Sequence, residues 1–229
     1  MPILLYDLVG QDATRPFSPH CWKAAMALAH KGLDVSTVPT RFLEVPAIEN
    51  GASKTVPVIR DGEKIISDSF AVALYLDEAY PDRPTLFGGE GGKAMARFIE
   101  RWSQLTLHSY ITTAALMDLY GMQDEANAVY FRKSREQRFG KRLEDVIAVR
   151  DAGLGGFRAS LEPLRSMLSY QPFIGGASPL FADYIVFGAL QWARVASPYR
   201  LLDDSDTVAQ WFDRCLDLYG GLGRKVAAA

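Results

Sequence analysis

The chain has 229 residues, 48% of them hydrophobic and 23% charged, with a formal net charge of −2. This is an ordinary globular composition, enough for one large domain or two small ones, and it lacks the basic excess of a nucleic-acid or membrane-surface binder. No apolar run approaches the roughly 18 residues of a membrane span, so no membrane association is expected. Cys21 and Cys215 lie far apart and make no disulfide framework. His20, His30 and His108 stand at unrelated spacings with no cysteine cluster, so no metal site is expected. Met1-Pro2 runs straight into an apolar stretch with no basic and apolar leader, and a cytoplasmic location is expected.

The first element is a strand at Ile3–Tyr6. Ser18 then reads as the N-cap of a helix, with Pro19 at its first position, small packing residues from Ala24 to Ala29, and Gly32 as its stop. A serine hydroxyl thus stands where a strand hands over to a helix N-terminus, a place that favours an anion. A second strand is expected at Asp34–Val38, an irregular or short helical stretch at Phe42–Ala52, a third strand at Thr55–Ile59, a turn at Asp61-Gly62 and a fourth strand at Lys64–Ile66. Pro57 suits a strand start. Asp68-Ser69 opens a second helix, Phe70–Leu76, which ends before Pro81.

Pro84 to Gly92 is turn-rich and reads as a linker. Beyond it only helices are expected: a long amphipathic one over Ala94–Tyr120, one over Gln123–Gly140, and one over Leu143–Tyr170 interrupted at Gly153–Gly156. A buried apolar helix over Phe181–Ala196 and a last amphipathic one over Thr207–Tyr219 complete the chain. The run Arg132-Lys133-Ser134-Arg135 reads as a solvated helix face rather than a ligand patch. The expected fold class is α+β, with a mixed four-stranded sheet and helices over residues 1–84, a linker over 85–92 and an all-helical bundle over 93–229.

Ser18-Pro19-His20-Cys21 matches the C-P-x-C redox motif of thioredoxin-like folds with its first cysteine replaced by serine. Together with Thr55-Val56-Pro57-Val58 and Asp68-Ser69 ahead of a helix, it resembles the cytosolic glutathione transferases. Phe181-Ala182-Asp183 is a weaker feature, because Leu180 replaces the usual serine or threonine cap and half of the capping box is lost. Ser18-Pro19-x-x-Trp22-Lys23, Ala27-Leu28-x-His30-Lys31-Gly32, Tyr75-Leu76-Asp77-Glu78, Ser134-Arg135-Glu136-x-Arg138-Phe139 and Gly221-Leu222-Gly223-Arg224 are similar to the bacterial β-aryl-etherases and related fungal transferases.

The resemblance implies a thioredoxin-like domain that binds glutathione as co-substrate, a helical second domain, and a homodimer. It implies a glutathione S-transferase acting on hydrophobic, aromatic electrophiles, in aromatic-compound metabolism or detoxification, with β-aryl ether cleavage as its narrow form. Ser18 is then the catalytic residue, donating to the glutathione thiolate. A free thiol has a pKa of about 8.5, and lowering it by two units takes about 2.7 kcal/mol of differential stabilisation. One charge-assisted hydrogen bond and a helix N-terminus can supply that.

Val56 before Pro57 would pair with the cysteinyl backbone of glutathione. Asp68 would hold the γ-glutamyl ammonium and Ser69 its carboxylate, roles compatible with plain helix capping. Lys54 and Arg41 are candidates for the glycine carboxylate, or ordinary surface cations. Tyr6, Phe17, His108, Tyr110 and Met117 are candidates for the acceptor pocket, or core. Cys21 reads as a small packing residue; a reactive thiol there would instead suit a glutathione-dependent thiol-disulfide reductase or isomerase. A non-catalytic glutathione-dependent ligandin for aromatic compounds is the other alternative.

Overall fold

The computed structural model describes residues 1–229. Strand β1 (Ile3–Leu8) lies at the centre of a four-stranded sheet. Helix α1 (Pro19–His30) crosses over to β2 (Val35–Thr40), which pairs parallel to β1 with Ile3 opposite Val35. A 3-10 segment, Phe42–Asn50, leads to a cis peptide bond between Val56 and Pro57. Strands β3 (Val58–Asp61) and β4 (Lys64–Ser67) then form an antiparallel hairpin, with β3 antiparallel to β1. The sheet order is β2-β1-β3-β4, and α2 (Ser69–Ala79) closes the domain. The expected mixed sheet with helices is therefore present. The third strand begins only after the proline, which cannot donate to the ladder.

Helix α3 (Glu90–Ser103) opens inside the stretch read as linker. The expected single helix over Ala94–Tyr120 is broken. A π-helical turn, Gln104–His108, leads into α4 (Ser109–Ala114), and a kink at Ala115 separates α5 (Leu116–Gly121). Then follow α6 (Glu125–Phe139), α7 (Leu143–Ile147), α8 (Arg150–Ser160) and α9 (Glu162–Leu168). The interruption expected at Gly153–Gly156 does not occur: α8 runs through it, and the breaks fall at Ala148-Val149 and Leu161. Gly153 serves packing, since a Cβ there would meet the Tyr110 ring at 2.9 Å. Helices α10 (Phe181–Ala196) and α11 (Thr207–Gly221) complete the bundle. No helix is long and apolar enough to cross a membrane.

Every residue of α10 but Arg194 is buried, as its all-round apolar sequence requires. Its first turn is organised by Asp183. That carboxylate accepts from the N–H of Ile174 (2.7 Å), Gly175 (2.9 Å) and Leu180 (3.0 Å) and from Trp211 Nε1 (3.0 Å). The Leu180 contact is the surviving half of the capping box; the leucine side chain cannot supply the other half.

Close contacts lock the two halves together. A Cβ on Gly188 would stand 2.3 Å from the Pro19 carbonyl oxygen, so only glycine lets α10 approach the head of α1. Phe70, Phe87 and Phe181 form a ring cluster from α2, the connecting segment and α10, with centroids 5.4–5.5 Å apart. The Arg97 guanidinium of α3 lies 3.4 Å from the Phe70 ring.

Candidate active site

Ser18 caps α1 with its backbone extended (φ −64, ψ 124), and its Oγ accepts from the Cys21 N–H at 3.2 Å. That bond uses an oxygen lone pair and leaves the hydroxyl proton free to donate. Pro19 has no N–H, and the His20 N–H has no backbone partner. Two unspent donors, the Ser18 O–H and the His20 N–H, thus stand at the positive end of a helix.

These residues border a cavity of about 810 Å³ at the junction of the two domains. Phe17, Ser18, Pro19 and His20 line it from the first domain, with Phe42 and Val45 from the 3-10 segment and Lys54, Thr55 and Val56 from the cis-proline loop. The second domain supplies Arg101, Gln104, His108, Ser109 and Thr112 around the π turn. It also supplies Tyr130, Phe131, Arg135, Arg138 and Phe139 of α6, and Trp192 of α10. The π turn shifts the register of the α3–α4 rod, and it ends at His108 on the cavity wall.

Of the residues singled out from sequence, Ser18, Val56, Lys54, Phe17 and His108 meet on this wall. Neither the N–H nor the C=O of Val56 is paired with protein backbone, so both can take an extended ligand strand. Pro57 is buried behind it. Asp68 adopts φ 75 and caps α2, its Oδ1 accepting from Phe70 and Ala71 N–H, both at 2.9 Å. Its other oxygen has no such bond. Ser69 is buried in the first turn of α2.

Pro57, Asp68 and Ser69 do not line the cavity, and the remaining candidates also lie off its wall. Arg41 pairs with Asp124, the N-cap of α6, at 3.3 Å. The Tyr6 hydroxyl donates to Glu49. Tyr110 donates to the Arg150 carbonyl at 2.7 Å and stacks on Phe157. Met117 packs against the core.

His20 and His108 are near neighbours, with ring centroids 5.2 Å apart. Burial, then the charge of Lys23, holds both below the usual histidine range, His108 down to about 4. Both are neutral near pH 7. Cys21 is fully buried, and burial next to Asp7 pushes its thiol well up, so it has no thiolate to offer.

Sequence reasoning missed the α6 wall. The reading of the basic run as solvated holds for Arg132, which pairs with Glu136 and Glu144, and for exposed Lys133. It fails for Arg135, half-buried on the cavity wall. The signal was the helical spacing of Phe131, Arg135, Arg138 and Phe139, which puts two aromatics and two cations on one face.

With the fold and the cavity in view, sequence relationships decide the family. Residues 13–84 match the model of the glutathione S-transferase N-terminal domain, and residues 94–218 match that of the glutathione S-transferase C-terminal domain. The chain belongs to the glutathione S-transferase family. Membership makes glutathione its co-substrate. It is 27% identical to the glutathione S-transferase-like protein ustS of Aspergillus flavus, over 84% of this chain and 80% of that one. It is 41% identical to glutathione S-transferase Z1 of Arabidopsis thaliana over 28% of this chain and 31% of that one. Among solved structures, the glutathione transferase GSTFuA3 of Phanerochaete chrysosporium superposes with a TM-score of 0.77 at 25% identity, covering 99% of this chain and 94% of that one. A Ceriporiopsis subvermispora transferase, CsGST63524, solved in complex with glutathione, has a TM-score of 0.77 at 24% identity, covering 99% of this chain and 95% of that one, and bears on the fold alone.

Proposed function

We propose that this transferase activates the glutathione thiolate at Ser18 for attack on aromatic electrophiles, with β-aryl ether cleavage as its narrow form. The observation that carries the reading is the Ser18 hydroxyl. Its oxygen is spent on the Cys21 N–H and its proton is free, on the wall of a cavity lined by Phe17, Phe42, Phe131 and Trp192. The bound thiol gives up its proton to solvent, the Ser18 O–H and the helix end hold the thiolate, and its lone pair forms a C–S bond as the leaving group departs with its electrons. In the ether case that group is a phenolate. Orientation beside the rings and thiolate stabilisation supply the rate.

Val56 pairs with the cysteinyl backbone and Lys54 with the glycine carboxylate. Asp68 and the Ser69 end of α2 take the γ-glutamyl head. Both cysteines are unpaired and buried, which fits a reducing cytoplasm. A homodimer is part of the reading: Met95 and Phe98 of α3, and Leu105 of the π turn, are exposed apolar side chains suited to a subunit contact.

Turnover with glutathione and a fluorogenic β-aryl ether ketone, run beside a general aryl halide, tests the function. Phenol release establishes ether cleavage. Activity on the halide alone leaves a general transferase. Glutathione binding with silence on both substrates overturns the catalytic reading in favour of a ligandin.

A further inference from the structure

The chain is slightly acidic, yet no Asp or Glu lines the cavity, while Lys54, Arg101, Arg135 and Arg138 do. Glutathione brings two carboxylates and one ammonium. Lys54, the head of α2 and Asp68 offer a partner for each. Arg135 and Arg138 belong to a different element, α6; Arg135 is half-buried among aromatic rings and Arg138 is exposed beside it. The Arg135 guanidinium lies 4.7 Å from the Phe131 ring and 5.5 Å from the Phe42 ring, and its one side-chain hydrogen bond goes to Ser134 Oγ at 3.0 Å. No carboxylate pairs with it. Burial and the neighbouring Arg138 charge hold its pKa below the usual arginine value. A half-buried guanidinium without a counter-charge is costly, and a bound anion relieves that cost. The Phe42 ring is in turn 6.0 Å from the ring of Phe17, the residue before Ser18. A run of rings therefore leads from the thiolate position to a guanidinium with no counter-charge.

We propose that the acceptor half of this cleft takes aromatic electrophiles that carry a carboxylate, and that Arg135 binds the carboxylate while the ring lies against Phe42. This rests on the transferase reading of the cleft. A guanidinium offers two parallel donors to a carboxylate, and the Phe42 and Phe131 rings beside it limit where that fork can point. Arg138 adds a second positive charge on the same helix face.

The test compares 4-chloro-3-nitrobenzoate with its methyl ester, each rate divided by the uncatalysed rate with glutathione. The thiolate adds to the chlorine-bearing ring carbon, the C–S bond forms, the C–Cl bond breaks and chloride leaves with the electron pair. The thiol proton goes to solvent. The wild-type protein should prefer the acid, and Arg135→Gln should lower the acid-to-ester ratio of kcat/KM about 10- to 100-fold, the range expected for a lost hydrogen bond to a charged group. Arg135→Lys, which keeps the charge and loses the flat fork, should fall between the two and guards against a folding defect in the first variant. An equal loss on both substrates, or a rise confined to the KM for glutathione, overturns the proposal. Should the wild type turn over neither compound, the transferase reading fails separately, and quenching of the protein's tryptophan fluorescence by the two compounds decides the matter. Tighter binding of the acid that Arg135→Gln abolishes upholds the carboxylate site, and equal binding overturns it.

Discussion

The Lys23 ammonium sits 3.0 Å from the Glu100 carboxylate, with the lysine side chain fully buried, so an ion pair ties α1 of the first domain to α3 of the second. Burial pulls the Lys23 pKa down and Glu100 opposes that pull. Glu100→Ala should cost about 3–5 kcal/mol, because an unpaired buried ammonium remains. Lys23→Met should cost much less, and the double variant should recover most of the loss. A lysine depressed in the native state binds its proton more readily when unfolded, so the Glu100→Ala deficit should shrink as pH rises. Thermal unfolding of the three variants at pH 7 and pH 9 checks both statements.

Ser18→Ala removes the free hydroxyl proton and the cap together. The cap accounts for about 1 kcal/mol of helix stability. The lost donor should raise the pKa of bound glutathione and lower turnover about 10- to 100-fold. Ser18→Thr keeps both functions. With burial holding both His20 and His108 below the usual histidine range, the rising limb of the pH–rate profile should report the thiol alone, and His108→Gln should leave its midpoint in place. Ultraviolet absorbance of the thiolate across pH reads the shift directly; an unshifted titration in Ser18→Ala would count against the assigned role.

Asp7 lies behind Cys21 on β1, buried, with Oδ1 free of any hydrogen bond. Burial pushes its carboxyl up to about 7. The native state therefore keeps a proton that the unfolded chain releases near pH 4, and this contribution to stability is lost as pH climbs from 4 to 7. Asp7→Asn carries no such titration. Relative to wild type, the variant should gain stability with rising pH, by up to about 1.4 kcal/mol per unit across that window. Urea unfolding of both proteins at pH 5, 6, 7 and 8 provides the comparison, and parallel curves would refute it.

Asp183→Ala should be among the most damaging single changes. Four N–H donors would lose their acceptor inside the core, and a buried unmet donor costs about 1–3 kcal/mol. A total loss above about 3 kcal/mol is expected. Asp183→Asn should rescue little, since its amide would place donors against donors. The thermal midpoint of each variant against wild type measures the loss.

Much of this was legible in the chain. The Ser18 cap, the position of Pro57, the Asp68 cap and the buried Phe181–Ala196 helix are local signals, each set by a few adjacent residues, and they lie where the sequence places them. The α3–α5 rod was not legible, because a π turn and a kink at Ala115 leave the apolar periodicity nearly intact. Nor was the run of α8 through its glycines, each with a local helix penalty of about 1 kcal/mol; at Gly153 that penalty yields to tertiary packing against Tyr110. Arg135 was misjudged for the same reason: its burial depends on Phe42, which reaches it from another domain.

Gly188 leaves no room for a side chain against the Pro19 carbonyl, and Gly10 likewise abuts the Met122 carbonyl oxygen, with a Cβ 2.3 Å away in each case. The two halves are therefore not interchangeable parts. A chimera that grafts the helical half of another transferase onto this sheet would need a glycine facing Pro19 and a main chain shaped to receive Gly10. Shuffling of substrate pockets between relatives is thus restricted to partners that already share these contact points, and diversity of acceptor chemistry must come from side chains such as those on α6.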